Sequence, residues 1–412
     1  MKGINSKLIH GRLKDISNEN CRSLKTPIYE NASFDFESAE SAENAFTGDS
    51  GSHIYSRISN PTVRELETRL RTFAGAKECL CVSSGMAAIS NVILTICSSG
   101  DNIVTTKYLF GNTYSLFTKT LKSFGIEARF ADMNNIDDIK KNIDDKTRCI
   151  FLEILTNPQL IIFDIQKISD LTSKKSIPLI IDNSVLTPYI FQSAKYKIDI
   201  EILSTTKFIS GGATSVGGAI FMFESNKWDS VPKLKTEFEK SGNNAFWVKL
   251  SKEVYRNLGS CLSPNNAYLQ LLGLETITIR IDKICQNALT VAKWLEKHDK
   301  VPTVNYSSLE KSSYYNLANK YFSLKSGCLI RMELNNKNDC FTFMNSLKMI
   351  RRGTNFCDNK TMVIHPSSTI FCDFTDIDKE KMDVNEGQLR LGIGLEDVED
   401  IIDDIEQALG KV

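Results

Sequence analysis

The stretch DIEILSTTKFISGGATSVGG, Asp199 to Gly218, combines several features of a ligand-binding loop. A short apolar strand, residues 200–203, runs into three hydroxyl residues, 204–206, then a single lysine, Lys207, and a loop of small residues. Hydroxyl groups can hold a phosphate, and glycines let the backbone approach a flat ligand. A lysine at the end of a buried strand suits an amine that loses its proton and forms an imine with a carbonyl. A glycine-rich turn with a chance lysine is the alternative that this stretch alone leaves open.

Length and composition limit the class of protein. The 412 residues predict two or three domains. The 50 basic and 50 acidic residues give zero net charge, which argues against a nucleic-acid partner or a polybasic membrane patch. The start of the chain lacks the apolar run of a signal peptide, and no stretch approaches the ~20 apolar residues of a membrane span. The 11 cysteines form no CxxC motif and the four histidines are far apart, so we expect a reduced, cytoplasmic protein without a metal site.

Apolar segments alternate with helical patterns through the first two thirds of the chain. Strands are predicted at 79–83, 102–106, 148–154, 178–184 and 200–203. This alternation predicts a parallel α/β sheet, in which ligands bind at the carboxyl ends of the strands. Asp182 and Lys207 both fall at such ends. The turn at Gly85 and Met86, between a strand and a helix, could offer backbone N–H groups to a phosphate.

Other segments carry weaker signals. The extended segment around Tyr55 and Arg57 predicts that both side chains point the same way, as in a phosphate clamp, although a solvated surface strand fits equally. A helix is expected to begin at Thr62 as its N-cap, with Glu65 at N3. Residues 240–265 read as a connection between domains.

The last third of the chain predicts a separate α+β unit. A long amphipathic helix is expected from 274 to 295, followed by strands and helices after Pro302. Arg390 interrupts an apolar strand, and a buried arginine of this kind requires an anion such as a substrate carboxylate. We therefore predict an N-terminal arm over 1–62, a large α/β domain over 63–262 and a C-terminal α+β domain over 263–412.

Motifs spread over nearly the whole chain carry a family resemblance. They are PIYENASFDF (27–36), HIYSRISNPTV (53–63), SSGMAA (83–88), EILTNP (153–158), STTKF and TSVGG within 204–218, VIHPSST (363–369) and RLGIGLED (390–397). In this order the chain resembles the Cys/Met metabolism family of pyridoxal-phosphate (PLP) enzymes of fold type I. Within that family it is most similar to the O-acetylhomoserine sulfhydrylases. The resemblance implies a mostly parallel central sheet in a large domain and a smaller α+β domain.

The resemblance also implies roles for individual residues. Lys207 would bind PLP covalently and then shuttle protons, Asp182 would pair with the pyridine nitrogen, and Asn157 would contact the hydroxyl side of the ring. The phosphate would be held by Gly85, Met86, Ser204 and Thr206, joined by Tyr55 and Arg57 reaching in from a neighbouring subunit. The substrate would be bound by Arg390 at its carboxylate, with Asn355, Tyr55 and Arg352 nearby. A homo-oligomer, and specifically a homotetramer, follows from the shared site.

The chain departs from the family pattern around the site. Phe110 stands where the family has a tyrosine that stacks on the cofactor, so the stack is kept and the hydroxyl is lost. Another hydroxyl would have to replace it, with Tyr55 of the neighbour the first candidate and Tyr114 the second. The loop 210–213 lacks the usual histidine, 351–354 replaces a small apolar run with RRGT, and Phe371 replaces another histidine. Neutral drift and an altered substrate or nucleophile both fit these changes.

Three functions follow from the resemblance. The first is PLP-dependent γ-replacement on an O-acylated homoserine, in which sulfide gives homocysteine and another thiol gives a related amino acid. The second is a γ- or β-lyase acting on a sulfur amino acid, or a specialised relative with another substrate or nucleophile. The third is a non-catalytic protein that kept the fold and the cofactor, which the presence of Lys207, Asp182 and Arg390 argues against.

Overall fold

A computed structural model of the protein describes residues 3–10, 23–48 and 51–412, and its architecture is an α/β fold with two sheets. The larger sheet has seven strands in the order β1-β7-β6-β5-β4-β2-β3. Its strands are β1 Glu78–Val82, β2 Asn102–Thr105, β3 Glu127–Phe130, β4 Thr147–Glu153, β5 Leu179–Asp182, β6 Ile200–Leu203 and β7 Gly218–Met222. Strands β1, β2, β4, β5 and β6 confirm the five predicted strands to within one or two residues at each end, whereas β3 and β7 were not predicted.

The sheet is parallel from β3 through β2, β4 and β5 to β6, as predicted. Strand β7 is antiparallel to both β6 and β1, because the loop after β6 turns the chain straight back instead of crossing over the sheet. Each crossover helix returns the chain to the opposite edge, so the carboxyl ends of β4, β5 and β6 lie side by side.

Helices and short turns cover both faces of this sheet and bury all of β2, β6 and β7 and most of β1, β4 and β5, whereas the edge strand β3 is not buried. The α-helices are Ile4–His10, Ala39–Thr47, Pro61–Ala74, Gly85–Ile96, Gly111–Ser115, Leu121–Ser123, Ile136–Asn142, Ile165–Lys175, Thr187–Ile190, Lys235–Ser241, Ala245–Lys249 and Tyr255–Leu258. Because these strands are buried on both faces, their sequences are continuous apolar runs and do not alternate between apolar and polar residues.

The second sheet has five strands in the order β10-β11-β12-β9-β8. They are β8 Thr303–Asn305, β9 Leu329–Glu333, β10 Arg351–Arg352, β11 Met362–Ile364 and β12 Gln388–Gly392. The accompanying helices are Pro264–Leu274, Ile277–Leu295, Tyr315–Phe322, Lys337–Ser346, Asp376–Lys381 and Val398–Leu409. Helices Ile277–Leu295 and Val398–Leu409 share one apolar core with this sheet. The predicted α+β character of the last third agrees with this layout, and the three domain boundaries remain predictions.

Two local predictions differ from the structure. Helix Pro61–Ala74 is capped by Asn60 and not by Thr62, because the Asn60 side chain accepts a hydrogen bond from the Thr62 N–H at 3.0 Å. The predicted extended segment ends at Tyr55, which pairs with Ser33 in an isolated antiparallel bridge. The chain then turns, since the Tyr55 carbonyl accepts from Ile58 N–H at 2.7 Å, and Arg57 lies in this turn. The long helix expected from 274 to 295 is confirmed as Ile277–Leu295 and begins three residues later than predicted.

The segment 240–265 is more regular than the sequence suggests, while its predicted role as a connection between domains remains a prediction. It is mostly helical, and Ala245, Phe246, Leu250 and Tyr255 are buried in the core beneath helix Gly85–Ile96. The polar residues of this segment therefore lie on the outer face of its helices. The predicted N-terminal arm lies partly outside the described residues, and its described part contains helices Ile4–His10 and Ala39–Thr47. No helix in the described ranges has both the length and the apolar character to cross a bilayer.

Candidate functional site

A cavity of about 210 Å³ opens at the carboxyl edge of the larger sheet. It is bounded by the turn after β1, the ends of β4 and β5, the loop after β6 and Phe356 from the C-terminal third. Eight of the residues that the sequence singles out line it: Gly85, Met86, Phe110, Asn157, Asp182, Ser204, Thr206 and Lys207. Residues spread over more than 120 positions of sequence are thus brought together by the parallel strand order.

Lys207 places its amine at the wall of this cavity. Its Nζ donates to Asn355 Oδ1 at 2.7 Å and lies 4.3 Å from the centre of the Phe356 ring. Within the described ranges, Lys207 forms no ion pair with a carboxylate. Burial lowers the pKa of Lys207 to about 8, and the nearby charge of Arg390 acts in the same direction. A substantial fraction of this amine is therefore neutral and nucleophilic near neutral pH.

Asp182 ends strand β5 and faces the same cavity. Its Oδ1 accepts the Ser184 N–H at 2.8 Å, in the short turn that follows the strand. Burial raises the pKa of Asp182, while the hydrogen bonds from Ser184 and the charge of Lys207 pull it down. A protonated ring nitrogen placed against this carboxylate would stabilise its charged form further.

The opposite side of the cavity is built as an anion site. Helix Gly85–Ile96 begins there, and the Ser84 side chain caps it by accepting from Ala87 N–H at 3.0 Å. The N–H groups of the first helical residues, Gly85 and Met86, have no acceptor within the helix. A Cβ on Gly85 would lie 2.9 Å from Ser204 Cβ, so only glycine allows the two loops to approach this closely. Thr206 Oγ1 accepts from Gly217 N–H at 3.0 Å and fixes the loop after β6.

Arg390 lies next to the cavity, on the side of Lys207, and is 1% exposed. Its Nη1 donates to Asn157 Oδ1 at 3.1 Å, and its Nη2 donates to the carbonyls of Thr354 at 2.8 Å and Asn355 at 3.2 Å. Its Nε has no hydrogen-bond partner, and among the described residues no carboxylate pairs with the guanidinium. Burial lowers the pKa of Arg390 to about 10, so the group is still charged at neutral pH. A buried charge held only by neutral groups is suited to receive an anion.

Five of the predicted site residues lie outside the cavity lining: Arg390 and Asn355, which contact residues of the lining, and Tyr55, Arg57 and Arg352. Tyr55 and Arg57 are exposed and adjacent, with Arg57 Cζ 5.6 Å from the Tyr55 ring and its Nη1 donating to the Arg256 carbonyl at 2.7 Å. Arg352 is exposed on β10 and donates to the Met344 carbonyl at 2.7 Å. Their predicted contacts with phosphate and substrate remain predictions.

Tyr114 does not face the cavity. Its ring stacks on Phe130 with centroids 5.2 Å apart and tilts against Phe374 at 5.5 Å. This aromatic packing directs the ring away from Lys207. The second candidate for a replacement hydroxyl thus lies off the site in this subunit.

Sequence reasoning gave no role to several cavity residues. Glu153 and Ser184 line the cavity at the ends of β4 and just beyond β5, and Phe356 closes it from the C-terminal third. The sequence places Glu153 at a strand end, as it does Asp182, which is the signal that could have identified it. Phe356 follows Asn355 in an irregular loop, and only the tertiary fold brings it beneath Lys207.

The chain matches known proteins over nearly its whole length. The family model described as Cys/Met metabolism PLP-dependent enzyme matches residues 5–410. The L-methionine gamma-lyase of Fusobacterium nucleatum subsp. nucleatum is 33% identical over 413 residues, covering 100% of this chain and 98% of that protein.

Two solved structures share the fold. One is a Campylobacter jejuni protein assigned as an O-acetylhomoserine (thiol)-lyase, with a TM-score of 0.92 and 34% identity, covering 99% of this chain and all of that one. It carries a pyridoxyl-lysine phosphate at its position 205. The O-acetylhomoserine sulfhydrylase of the methionine biosynthetic pathway of Wolinella succinogenes has a TM-score of 0.77 and 44% identity, covering 85% and 97% of the two chains.

These matches extend over both sheets and the whole cavity, and the predicted fold type is confirmed. The chain belongs to the Cys/Met metabolism family of PLP-dependent enzymes.

Proposed function

We propose that this enzyme catalyses γ-replacement on an O-acylated homoserine, with sulfide or another small thiol as the nucleophile. The observation that carries the proposal is the meeting of the Lys207 amine and the Arg390 guanidinium at Asn355, with no carboxylate of the described residues paired to either. Lys207 Nζ donates to the Asn355 side chain at 2.7 Å, and Arg390 Nη2 donates to its backbone carbonyl at 3.2 Å. An α-amino acid offers an amine to exchange with the lysine and a carboxylate to pair with the arginine. The two groups therefore suit the two ends of such a substrate.

The residues present fit PLP. The unpartnered Arg390 Nε, the glycine cradle at Gly85 and the lowered pKa of Lys207 are each features that a bound phosphorylated aldehyde and its substrate would use. Lys207 would hold the aldehyde carbon, Asp182 the ring nitrogen and Asn157 the hydroxyl side. The phosphate would lie on the first turn of helix Gly85–Ile96, with Ser204 and Thr206 as further donors. When bound, PLP supplies an electron sink for carbanion chemistry at the amino acid.

The chain's own residues supply the rest of the chemistry. Lys207 Nζ lies at the cavity wall and would act as a base that moves protons between substrate carbons. Arg390 fixes the carboxylate and so orients the bond to be broken. Phe110, Leu155 and Phe356 line the cavity with apolar surface that excludes water.

The relatives favour replacement as the reaction and leave a lyase as the second candidate. The 44%-identical solved structure is an O-acetylhomoserine sulfhydrylase, whereas the 33%-identical relative is a methionine gamma-lyase. Phe110 lines the cavity but offers no hydroxyl for acid–base catalysis, so another group has to supply it. A role in methionine biosynthesis, the homotetramer and the cytoplasmic location remain predictions.

We expect purified enzyme with PLP to convert O-acetylhomoserine and sulfide to homocysteine and acetate. Thiol formation and mass spectrometry measure the product. Lys207→Ala is the control and should reduce the rate by at least about 10³-fold, since the base and the cofactor link are both lost. Release of 2-oxobutanoate and ammonia without sulfide, or of methanethiol from L-methionine, would show a lyase instead. No turnover of any O-acylated homoserine would overturn the proposal.

The rate of PLP binding to apo-enzyme should follow the neutral fraction of Lys207. Because the pKa of this amine is lowered to about 8, the rate should rise from pH 7 and level off above about pH 9. Stopped-flow absorbance of the bound cofactor measures it, and Nα-acetyllysine, with an ordinary amine, should keep gaining rate up to about pH 10. A rate for the enzyme that still climbs tenfold between pH 9 and pH 10 would contradict the lowered pKa.

Arg390→Ala should raise the KM for the amino-acid substrate more than it lowers kcat, with kcat/KM falling by about 10²–10³-fold, because a charged carboxylate contact is lost. Steady-state kinetics at saturating sulfide measure both constants. Arg352→Ala, at an exposed arginine of strand β10, two strands away from Arg390 on β12, is the companion variant. An unchanged KM in Arg352→Ala would remove that residue from the predicted substrate contacts. An unchanged KM in Arg390→Ala would show that Arg390 does not bind the substrate carboxylate.

Mixing two defective variants tests whether Tyr55 serves a neighbouring subunit. Tyr55→Phe and Lys207→Ala should each lose activity alone. When they are unfolded together and reassembled, half of the paired subunits are mixed, and each mixed pair has one site with both residues intact. Activity should then recover to about one quarter of wild type. If Tyr55 acts within its own subunit, the mixture recovers nothing, and an active Tyr55→Phe would exclude a catalytic hydroxyl there.

A further inference from the structure

Glu153 is a buried acid at the centre of the cavity edge, and the roles described above do not use it. It is the last residue of β4, is 6% exposed and lines the cavity. It stands in register with Asp182 on the neighbouring parallel strand, so the two carboxyl groups lie on the same edge. Among the described residues, no lysine or arginine pairs with Glu153. Burying a carboxyl group without a cation partner costs free energy, so we expect Glu153 to have a role that offsets this cost.

The two oxygens of Glu153 have separate partners. Oε1 accepts from the Phe110 N–H at 2.6 Å, and Oε2 accepts from the Asn157 N–H at 3.2 Å. The first N–H belongs to the segment between β2 and helix Gly111–Ser115, and no side chain caps that helix. The second belongs to the loop that follows β4. The carboxyl group therefore links two loops that approach the cavity from different crossovers.

Both linked residues present groups to the ligand site. Phe110 offers its ring to the cavity, and Asn157 Oδ1 accepts from Arg390 Nη1 at 3.1 Å. A shift at Glu153 would thus move the ring and, through Asn157, the guanidinium. Because Glu153 binds the backbone N–H of Phe110, this hydrogen bond does not depend on which side chain stands at 110.

The charge of Glu153 fits such a role. Burial and the charge of Asp182 raise the pKa of Glu153 well above its ordinary value, although its two backbone hydrogen bonds pull it down. Two adjacent carboxylates at one buried edge repel each other, which is why the charge of Asp182 acts on Glu153 in this direction.

We propose that Glu153 is a positioning residue of the cofactor site, which sets the spacing of Phe110 and Asn157 through one hydrogen bond to the backbone of each. It rests on the binding of PLP by the family and not on the choice of substrate. Its test therefore reads the bound cofactor directly, and failure of sulfhydrylase activity would leave that test intact.

The test compares three variants. Glu153→Gln keeps the size and the oxygen facing Phe110 but opposes an NH₂ group to the Asn157 N–H. Glu153→Leu removes both acceptors. Glu201→Gln is the matched control. Glu201 is fully buried on β6, the second strand from β4 in the same sheet, and burial raises its pKa to about 8. It hydrogen-bonds Ser193 and does not line the cavity.

Equilibrium dialysis gives the Kd for PLP, and visible circular dichroism reports the orientation of the bound ring. We expect the Kd to rise about tenfold in Glu153→Gln and about 100-fold in Glu153→Leu, with a weaker dichroic band in both. Glu201→Gln should match wild type in both measurements, although its thermal stability falls.

The proposal fails if both Glu153 variants bind PLP within twofold of wild type with an unchanged dichroic band. It also fails if Glu201→Gln loses as much affinity as Glu153→Gln, since that would show a general effect of altering a buried acid. Thermal unfolding of the apo-proteins identifies a variant that does not fold. If Glu153→Leu is such a variant, the isosteric Glu153→Gln decides the question.

Discussion

The site depends on the burial of an amine without a carboxylate partner. Lys207 is held at the cavity wall by an amide oxygen and an aromatic face, and these neutral contacts leave its pKa lowered to about 8. A carboxylate in the place of Asn355 would attract the proton and keep the amine charged. The arrangement costs stability, because a buried cation lacks compensation, and the gain is a nucleophile that is available near neutral pH.

The parallel order of the larger sheet makes this arrangement possible. Asp182 and Glu153 end neighbouring strands, and Lys207 follows the next strand over, so groups distant in sequence meet within one edge. The antiparallel return of β7 then brings Gly218 against the Ser84 carbonyl, where a Cβ would lie at 2.2 Å. That close approach joins the anion-binding helix start to the lysine loop, and it explains why glycines surround both.

The sequence predicted these parts with different success, for physical reasons. Buried parallel strands give long apolar runs, so their positions were predicted to within one or two residues, and strand-end residues such as Asp182 followed from them. Turn geometry and caps depend on single hydrogen bonds, and Asn60 and Thr62 are both plausible caps until the partner is seen. Phe356 and the role of Glu153 were missed because each depends on contacts between loops with no periodic pattern. The catalytic roles themselves came from the family resemblance and remain to be tested.

The geometry around Glu153 also bears on the replacement of a tyrosine by Phe110. The position of this residue is held through its backbone N–H, 2.6 Å from Glu153 Oε1, and that bond is indifferent to the side chain. The ring can therefore keep its place in the cavity when its hydroxyl is removed. Two functions of residue 110 are thereby separable in this fold. Its main chain holds the ring in place for a flat cofactor, whereas proton transfer would need a hydroxyl on its side chain. A chain with phenylalanine at 110 can still hold the cofactor, and the proposed proton transfers are then assigned to Lys207, with Tyr55 of a neighbouring subunit as the predicted source of a hydroxyl.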